Sequence, residues 1–226
     1  LDKKKFKPRA IIAVDLFGQL ADYSKIQDIA KKYNLLLIED AAQSFGATFK
    51  DKKSCSFGDI SATSFFPAKP LGCYGDGGAI FTNDKKIADL CRSIRVHGKG
   101  EDKYDNIRVG LNSRLDTIQA AVLLNKLDIF DDELIQRNKV ADLYTNQLGD
   151  YLITPYISKG NISSWAQYSL LANNKNQRDQ LMSFLKDAGI PTAIYYKKLF
   201  SELEIYSNQK HANFKISKDI SERIFS

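Results

Sequence analysis

Lys69 is the side chain in this 226-residue sequence whose surroundings best suit covalent chemistry. It lies between Ala68 and Pro70, after a segment rich in serine and phenylalanine. Apolar neighbours desolvate an amine and favour its neutral form, which is the nucleophile that forms a Schiff base with a carbonyl. Ser64 lies five residues earlier, where its hydroxyl is available to a phosphate. Taken alone, an exposed turn lysine is the simpler explanation of Lys69.

Two acids, Glu39 and Asp40, end the apolar run that begins at Leu35. A run without alternation predicts a parallel strand buried on both faces. Open α/β sheets bind ligands beyond the carboxyl ends of such strands. Asp40, followed by two alanines and Gln43, is therefore a candidate for a pocket. On this segment alone, a helix N-cap or a loop acid explains Asp40 as well.

Two further segments have the composition of an anion site. The run Gly72–Gly78 contains four glycines, which permit close backbone approach to a phosphate. It matches neither the P-loop nor the dinucleotide fingerprint, so a tight turn near a cofactor explains it at least as well. Asn112 and Arg114 stand near the start of a predicted helix, whose N-terminus attracts anions. Ser113 and Asp116 predict a capping box there.

Alternating strands and helices must position these residues. Apolar runs predict strands at 10–14, 35–40, 60–66, 79–82, 165–172 and 192–196, and helical periodicity predicts helices at 24–33, 84–96, 113–148, 176–188 and from 216. The β-α-β order implies a right-handed crossover and parallel pairing. We expect a large domain over residues 1–112, one long helix or two over 113–149, and a smaller, truncated α/β domain over 150–226.

Composition excludes several classes of protein. With 43% hydrophobic and 11% aromatic residues the chain is not a disordered one. No apolar stretch reaches the roughly 18 residues of a membrane span. The net charge of +6, from 33 basic and 27 acidic residues, is diffuse and predicts no nucleic-acid partner.

The cysteines and the chain ends give further expectations. Cys55, Cys73 and Cys91 form no CxxC pair, and the two histidines are isolated. We therefore expect free thiols in a reducing cytoplasm and no metal site. Strand and helix patterns begin near residue 10 and run to the last residues, which leads us to expect a piece of a longer protein.

Four ordered motifs together resemble the DegT/StrS family of pyridoxal-phosphate-dependent aminotransferases, which act on nucleotide-linked keto sugars. They are Ile38-Glu-Asp-Ala-Ala-Gln-Ser-Phe-Gly-Ala; Ser64-Phe-Phe-Pro-Ala-Lys-Pro-Leu-Gly with Gly75-Asp-Gly-Gly-Ala; Arg95-Val-His-Gly; and Gly110-Leu-Asn-Ser-Arg-Leu-Asp-Thr-Ile-Gln-Ala-Ala. The resemblance covers nearly the whole chain. It implies the type I fold of pyridoxal-phosphate enzymes, a mostly parallel sheet flanked by helices with a smaller C-terminal α/β domain and, for this chain, an N-terminal part missing.

The resemblance also implies roles for individual residues. Lys69 becomes the lysine that holds the cofactor and moves the substrate proton, and Asp40 pairs with the pyridine nitrogen and keeps it protonated. Gln43 contacts the ring or its 3-hydroxyl, and Ser64 binds the phosphate. Asn112 reaches the phosphate from a neighbouring subunit of a homodimer. Arg114 and Tyr195 are assigned to the sugar.

Within the family, the motif around Lys69 resembles members that aminate C3 of a UDP-linked keto-uronic acid for lipopolysaccharide O-antigen or related glycans. Glutamate is the amino donor that the family implies. Those members carry a histidine where this chain has Tyr195, which leaves the sugar open. Two alternatives remain: a sugar dehydratase, in which a histidine replaces the lysine, and a sensor without catalysis. For this chain by itself we expect weak cofactor binding and no useful activity.

Overall fold

The computed structural model describes residues 7–102, 104–206, 208 and 213–226. They form two compact units. The first takes the chain up to Asn138 together with Ile157–Ala166, and the second takes Lys139–Tyr156 and Gln167–Ser226. No helix in these described ranges has the length and apolar character needed to cross a membrane.

The strands are β1 (Ala10–Val14), β2 (Leu36–Asp40), β3 (Thr48–Phe49), β4 (Lys52–Lys53), β5 (Ile60–Ser64), β6 (Gly78–Phe81), β7 (Leu170–Leu171) and β8 (Ile224–Phe225). The α-helices are α1 (Tyr23–Tyr33), α2 (Lys85–Ile94), α3 (Thr117–Leu148), α4 (Lys175–Asp187) and α5 (Lys215–Arg223). Short 3₁₀ turns occupy Leu16–Gly18, Phe200–Glu202 and Glu204–Tyr206.

The main sheet has the order β1-β2-β5-β6. The first three strands are parallel, and β6 pairs antiparallel with β5. The α/β class and the mostly parallel sheet are therefore confirmed. The antiparallel direction of β6 follows from its connection, because the loop after β5 reverses the chain without a crossover helix.

Helix α1 covers one face of this sheet. Ala13 and Leu37 of the sheet pack against Tyr23 and Ala30 of the helix, and the Phe57 ring stacks on Tyr23 at 4.4 Å between centroids. The Asp22 side chain caps the helix by accepting from the Lys25 N–H. The opposite sheet face is open: among its apolar side chains Ile12, Val14, Leu36 and Ile80 are exposed.

Helix α3 is a single helix of 32 residues, which settles whether that pattern is one helix or two. Its buried Leu123, Phe130 and Leu134 pack against Phe65, Leu71 and Cys73 of the loop after β5. The predicted capping box was wrong, since the helix begins at Thr117 and Ser113 lies outside it. Ser113 instead donates its backbone N–H to the Arg95 carbonyl.

The second unit has its own core, formed by Leu170, Ala172 and Phe225. Its regular strands are shorter than predicted: only Leu170–Leu171 of the segment 165–172 is paired with β8. The predicted strand at 192–196 was wrong, because Ala193 alone exchanges backbone hydrogen bonds with Ser226. The last predicted helix ends at Arg223, and β8 follows it.

Candidate active site

The carboxyl ends of three parallel strands bring the predicted residues to one edge of the sheet. Asp40 is the last residue of β2 and Ser64 the last of β5, and Asp40 is in register with Ala62. Because alternate residues of a strand share a face, Asp40, Ala62 and Ser64 all lie on the open face. Gln43 and Lys69 follow within the two loops that leave this edge.

Asp40 keeps part of its carboxylate free for a ligand. It is half-buried, and its Oδ1 accepts from the Ala42 N–H at 3.1 Å. Its Oδ2 has no hydrogen-bond partner within the described residues. Asp40 ends strand β2, and the residues after it form a turn rather than a helix, so the N-cap explanation was wrong.

The amide of Gln43 has a fixed orientation. Its Oε1 accepts from the Phe17 N–H at 2.6 Å, and a backbone N–H can only donate. The side-chain oxygen is therefore held by the protein, and the Nε2 group is the end left to donate to a ligand. The Gln43 carbonyl in turn accepts from the Ser164 hydroxyl at 2.8 Å.

Lys69 closes a β-turn directly beyond β5. Its N–H donates to the Phe66 carbonyl at 2.8 Å, and Pro67 supplies the fixed φ that suits the second position of such a turn. The side chain is half-buried, and its amine has no hydrogen-bond or ion-pair partner within the part of the chain that the structure describes. That amine is therefore available to a ligand.

The glycine run packs the loop of Lys69 closely against itself. A Cβ at Gly72 would lie 2.5 Å from the Pro67 carbonyl oxygen, so only glycine lets these backbones approach. This contact favours the tight-turn explanation of the run. Ser64 accepts from the Phe66 N–H at 3.3 Å through its Oγ, which leaves the hydroxyl proton for another acceptor.

Glu39 points away from Asp40, into the covered face. It is fully buried and accepts from the Cys55 N–H, the Phe57 N–H and the Ser61 hydroxyl. It thus ties the segment before β5 to β2 and is not available to a ligand on the open face. Burial, together with the negative charge of Glu39, raises the pKa of the Cys55 thiol to about 12.

A buried carboxylate that the sequence analysis missed supports the same edge. Asp15 follows β1 with no exposed surface and accepts from the Ala21 N–H and the hydroxyls of Tyr23 and Ser44, at 2.8 to 3.0 Å. Burial raises its pKa to about 6, against the opposing effect of these hydrogen bonds. Burial also raises the pKa of the Tyr23 hydroxyl, and the charge of Asp15 adds to that rise. The sequence did contain a signal for Asp15, because this acid stands at the end of an apolar run, as Asp40 does.

Three predicted residues lie outside this group. Asn112 and Arg114 are exposed and line a cavity of about 1100 Å³ beside β6 and α2, together with Arg95 and Gly78. Neither Asp40 nor Lys69 lines that cavity. Tyr195 belongs to the second unit, where it is half-buried and its ring packs edge-on against Tyr196.

Four side chains at the edge thus present four different free groups: an amine on Lys69, a carboxylate oxygen on Asp40, an amide donor on Gln43 and a hydroxyl donor on Ser64. These groups match the aldehyde, the pyridine nitrogen, the ring oxygen and the phosphate of pyridoxal phosphate. The residues present therefore fit the cofactor that the resemblance implies.

Comparison with known proteins gives concordant matches. The model of the DegT/DnrJ/EryC1/StrS aminotransferase family matches residues 3–226. A UDP-2-acetamido-2-deoxy-3-oxo-D-glucuronate aminotransferase of Pseudomonas aeruginosa is 53% identical over 193 residues, 84% of this chain and 52% of that protein. A pleiotropic regulatory protein of Geobacillus stearothermophilus is 45% identical over 84% of this chain and 51% of its own length.

A solved structure agrees with the fold. The crystal structure of a DegT DnrJ EryC1 StrS aminotransferase from Brucella abortus superposes with a TM-score of 0.93 at 49% identity, over 98% of this chain and 59% of that one. The chain spans about half the length of the curated relatives it matches.

Proposed function

This chain belongs to the DegT/DnrJ/EryC1/StrS aminotransferase family, and from that premise we propose that its protein transfers an amino group to a nucleotide-linked keto sugar with pyridoxal phosphate. The observation that carries the proposal is the unpartnered amine of Lys69 at the same sheet edge as Asp40, Gln43 and Ser64. A cofactor-dependent transferase requires all four groups, each with one atom free for the cofactor. A sheet edge with only a structural role does not require them.

Lys69 and Asp40 are the catalytic residues in this proposal. Bound pyridoxal phosphate supplies an electron sink for the bond that is broken at the substrate carbon. Lys69 would hold the cofactor through its Nζ atom, and the amine, once released by substrate, would carry the proton to and from the reacting carbon. The free Oδ2 of Asp40 would pair with the pyridine nitrogen and, by its negative charge, would favour the protonated form of that nitrogen.

Gln43 and Ser64 orient the ring. With its Oε1 held by the Phe17 N–H, Gln43 would present Nε2 to the ring oxygen, which is an acceptor. Ser64 donates its hydroxyl proton to the phosphate while its Oγ still accepts from the Phe66 N–H. Each residue thus makes a second bond that fixes it before the cofactor arrives.

A nucleotide-linked sugar is the proposed substrate. The Pseudomonas relative is named for a UDP-linked 3-oxo-glucuronate, and it supports the class of members that aminate C3 of a keto-uronic acid. In this proposal Arg114 and Tyr195 bind the sugar nucleotide and glutamate donates the nitrogen. The product would serve lipopolysaccharide O-antigen or related surface glycans, and the reaction would take place in the cytoplasm.

A homodimer with shared sites completes the proposal. Asn112 is exposed, and its side-chain amide has no hydrogen-bond partner within the described ranges. An amide free in this way suits the role that the resemblance implies, in which Asn112 of each subunit binds the phosphate at the other subunit's Lys69.

Trapping the cofactor on Lys69 tests the proposal. We would incubate the full-length protein that contains this chain with pyridoxal phosphate, reduce with borohydride and map the modified lysine by mass spectrometry. We expect label on Lys69 in the wild type, none there in Lys69→Ala, and unchanged label in Lys139→Ala, which removes an exposed lysine of α3. Label spread evenly over surface lysines, with no preference for Lys69, would refute the assignment.

A sensor without catalysis is the second candidate, because one relative is named a pleiotropic regulatory protein. Glutamate separates the two functions. An aminotransferase converts glutamate to 2-oxoglutarate in a half-reaction without any sugar, whereas a sensor binds the cofactor and leaves glutamate unchanged. The dehydratase alternative is not proposed, since this chain has a lysine at position 69 where those members have histidine.

A further inference from the structure

Arg137 of helix α3 links the turn of Lys69 to a second loop of the site. Its Nη2 donates to the Pro70 carbonyl at 3.2 Å, and its Nη1 donates to the Ser164 carbonyl at 3.4 Å. Pro70 directly follows Lys69, so the guanidinium binds the backbone of the residue next to Lys69. The side chain is two-thirds buried, with 34% of its surface exposed.

Ser164 carries this contact to Gln43. It is fully buried, and its hydroxyl donates to the Gln43 carbonyl at 2.8 Å while its N–H donates to the Gly18 carbonyl at 3.0 Å. A Cβ on Gly18 would lie 2.6 Å from the Ser164 Oγ, so these two segments are in direct contact. The segment around Ser164 therefore supports the loop that orients the Gln43 amide.

A second α3 side chain fixes the same segment. Asn138 donates from Nδ2 to the Ser163 carbonyl at 3.2 Å and accepts through Oδ1 from the Trp165 indole N–H at 2.9 Å. The helix itself is anchored by Leu134, which is buried in the core of the first unit. Arg137 thus extends from helix α3 to two loops, one that contains Pro70 and one that contains Ser164.

The guanidinium suits this task better than any other side chain. It presents several N–H donors in one rigid plane, so it binds two carbonyls in different directions. A lysine in its place offers a single ammonium, which binds one of the two well. The only ion pair of Arg137 within the described residues, to Glu133 at 3.8 Å, is half-exposed and adds little.

We propose that Arg137 is a positioning residue that fixes the Lys69 turn relative to the Gln43 loop, so that the amine and the amide face one ligand at the correct separation. The role of Arg137 in placing the amine and the amide for a cofactor rests on the proposed function. The hydrogen bonds from Arg137 to the two loops do not depend on that function.

Hydrogen exchange measures the contact directly. In Arg137→Met we expect exchange protection to fall about tenfold, which corresponds to about 1.4 kcal/mol, in peptides covering residues 65–73 and 163–166. Protection of β1 and β2 should stay unchanged. Lys139→Met is the matched control, because it removes one exposed cation two residues further along α3. Arg137→Lys should leave at least one of the two segments deprotected.

The rate of cofactor trapping on Lys69 measures the consequence. We expect Arg137→Met to slow it about tenfold and Lys139→Met to leave it unchanged. Equal exchange and equal trapping rates in Arg137→Met and Lys139→Met would overturn the inference. Lost exchange protection in Arg137→Met with an unchanged trapping rate would also overturn it, because Arg137 would then have a structural role only. If Arg137→Met fails to fold, the same criteria apply to Arg137→Lys. If the wild type is not trapped at Lys69, the proposed function fails, and exchange alone decides whether Arg137 couples the two loops.

Discussion

Replacing the buried Asp15 by asparagine should change how the stability of this protein depends on pH. The folded protein raises the pKa of Asp15 from 3.8 to about 6, chiefly because the carboxylate is removed from water. At about 1.4 kcal/mol for each tenfold change in proton affinity, this rise corresponds to about 3 kcal/mol. The figure is large against the 5–15 kcal/mol that typically separates folded from unfolded states.

The sign of this pH dependence follows from how many protons the folded and unfolded states bind. Between pH 3.8 and about 6 the folded state keeps the Asp15 proton while the unfolded chain loses it. The contribution of Asp15 to stability is thus fully present below pH 3.8 and is lost as the pH rises through about 6. In Asp15→Asn the side chain stays neutral. Its oxygen still accepts from the Ala21 N–H and the Tyr23 hydroxyl, and its NH₂ group donates to the Ser44 Oγ.

Urea unfolding of both proteins between pH 4 and 7.5 measures the effect. We expect the free energy of unfolding of Asp15→Asn, minus that of the wild type, to increase by about 2.5 kcal/mol across this range, because at pH 4 the unfolded carboxyl is already partly ionised. Tyr23→Phe removes a donor that favours the charged form, so its transition should move to higher pH. Adding Asp15→Asn to it should abolish the transition. Parallel profiles for wild type and Asp15→Asn would refute the argument.

Two further predictions concern the proposed dimer and the core of the first unit. Mixed dimers of Lys69→Ala and Asn112→Ala subunits should recover cofactor trapping that either variant lacks alone, because one shared site is then intact; no recovery would place each site within one subunit. Gly46→Ala should lower the free energy of unfolding by about 2–5 kcal/mol, since φ is +90° there and a Cβ would lie 2.6 Å from Leu134 and Phe130. At Gly160 φ is +83°, but a Cβ would meet no atom of a non-neighbouring residue within 4 Å, so Gly160→Ala should lower the free energy of unfolding by only about 1–2 kcal/mol. Equal losses of stability in Gly46→Ala and Gly160→Ala would contradict the packing argument.

The elements that form the site could be predicted from the sequence because each depends on a local pattern. Apolar runs located β1, β2 and β5, and helical spacing with a capping Asp84 located α2. The strand patterns did not give the strand order, and only the structure placed Asp40 and Ser64 at the ends of two neighbouring parallel strands. Predictions failed where a segment had the composition of a strand but lacked a partner, as at 192–196.

The sequence alone determined the family of this chain and which residues are candidates for its site, since residue type and order are local properties that a family motif records. Only the tertiary structure decided how those residues are held. It turned Glu39 away from Asp40, buried Asp15, and brought Ser164 to Gln43 across 121 residues of chain. Contacts of this kind depend on how distant segments pack, and no periodicity within a single segment specifies them.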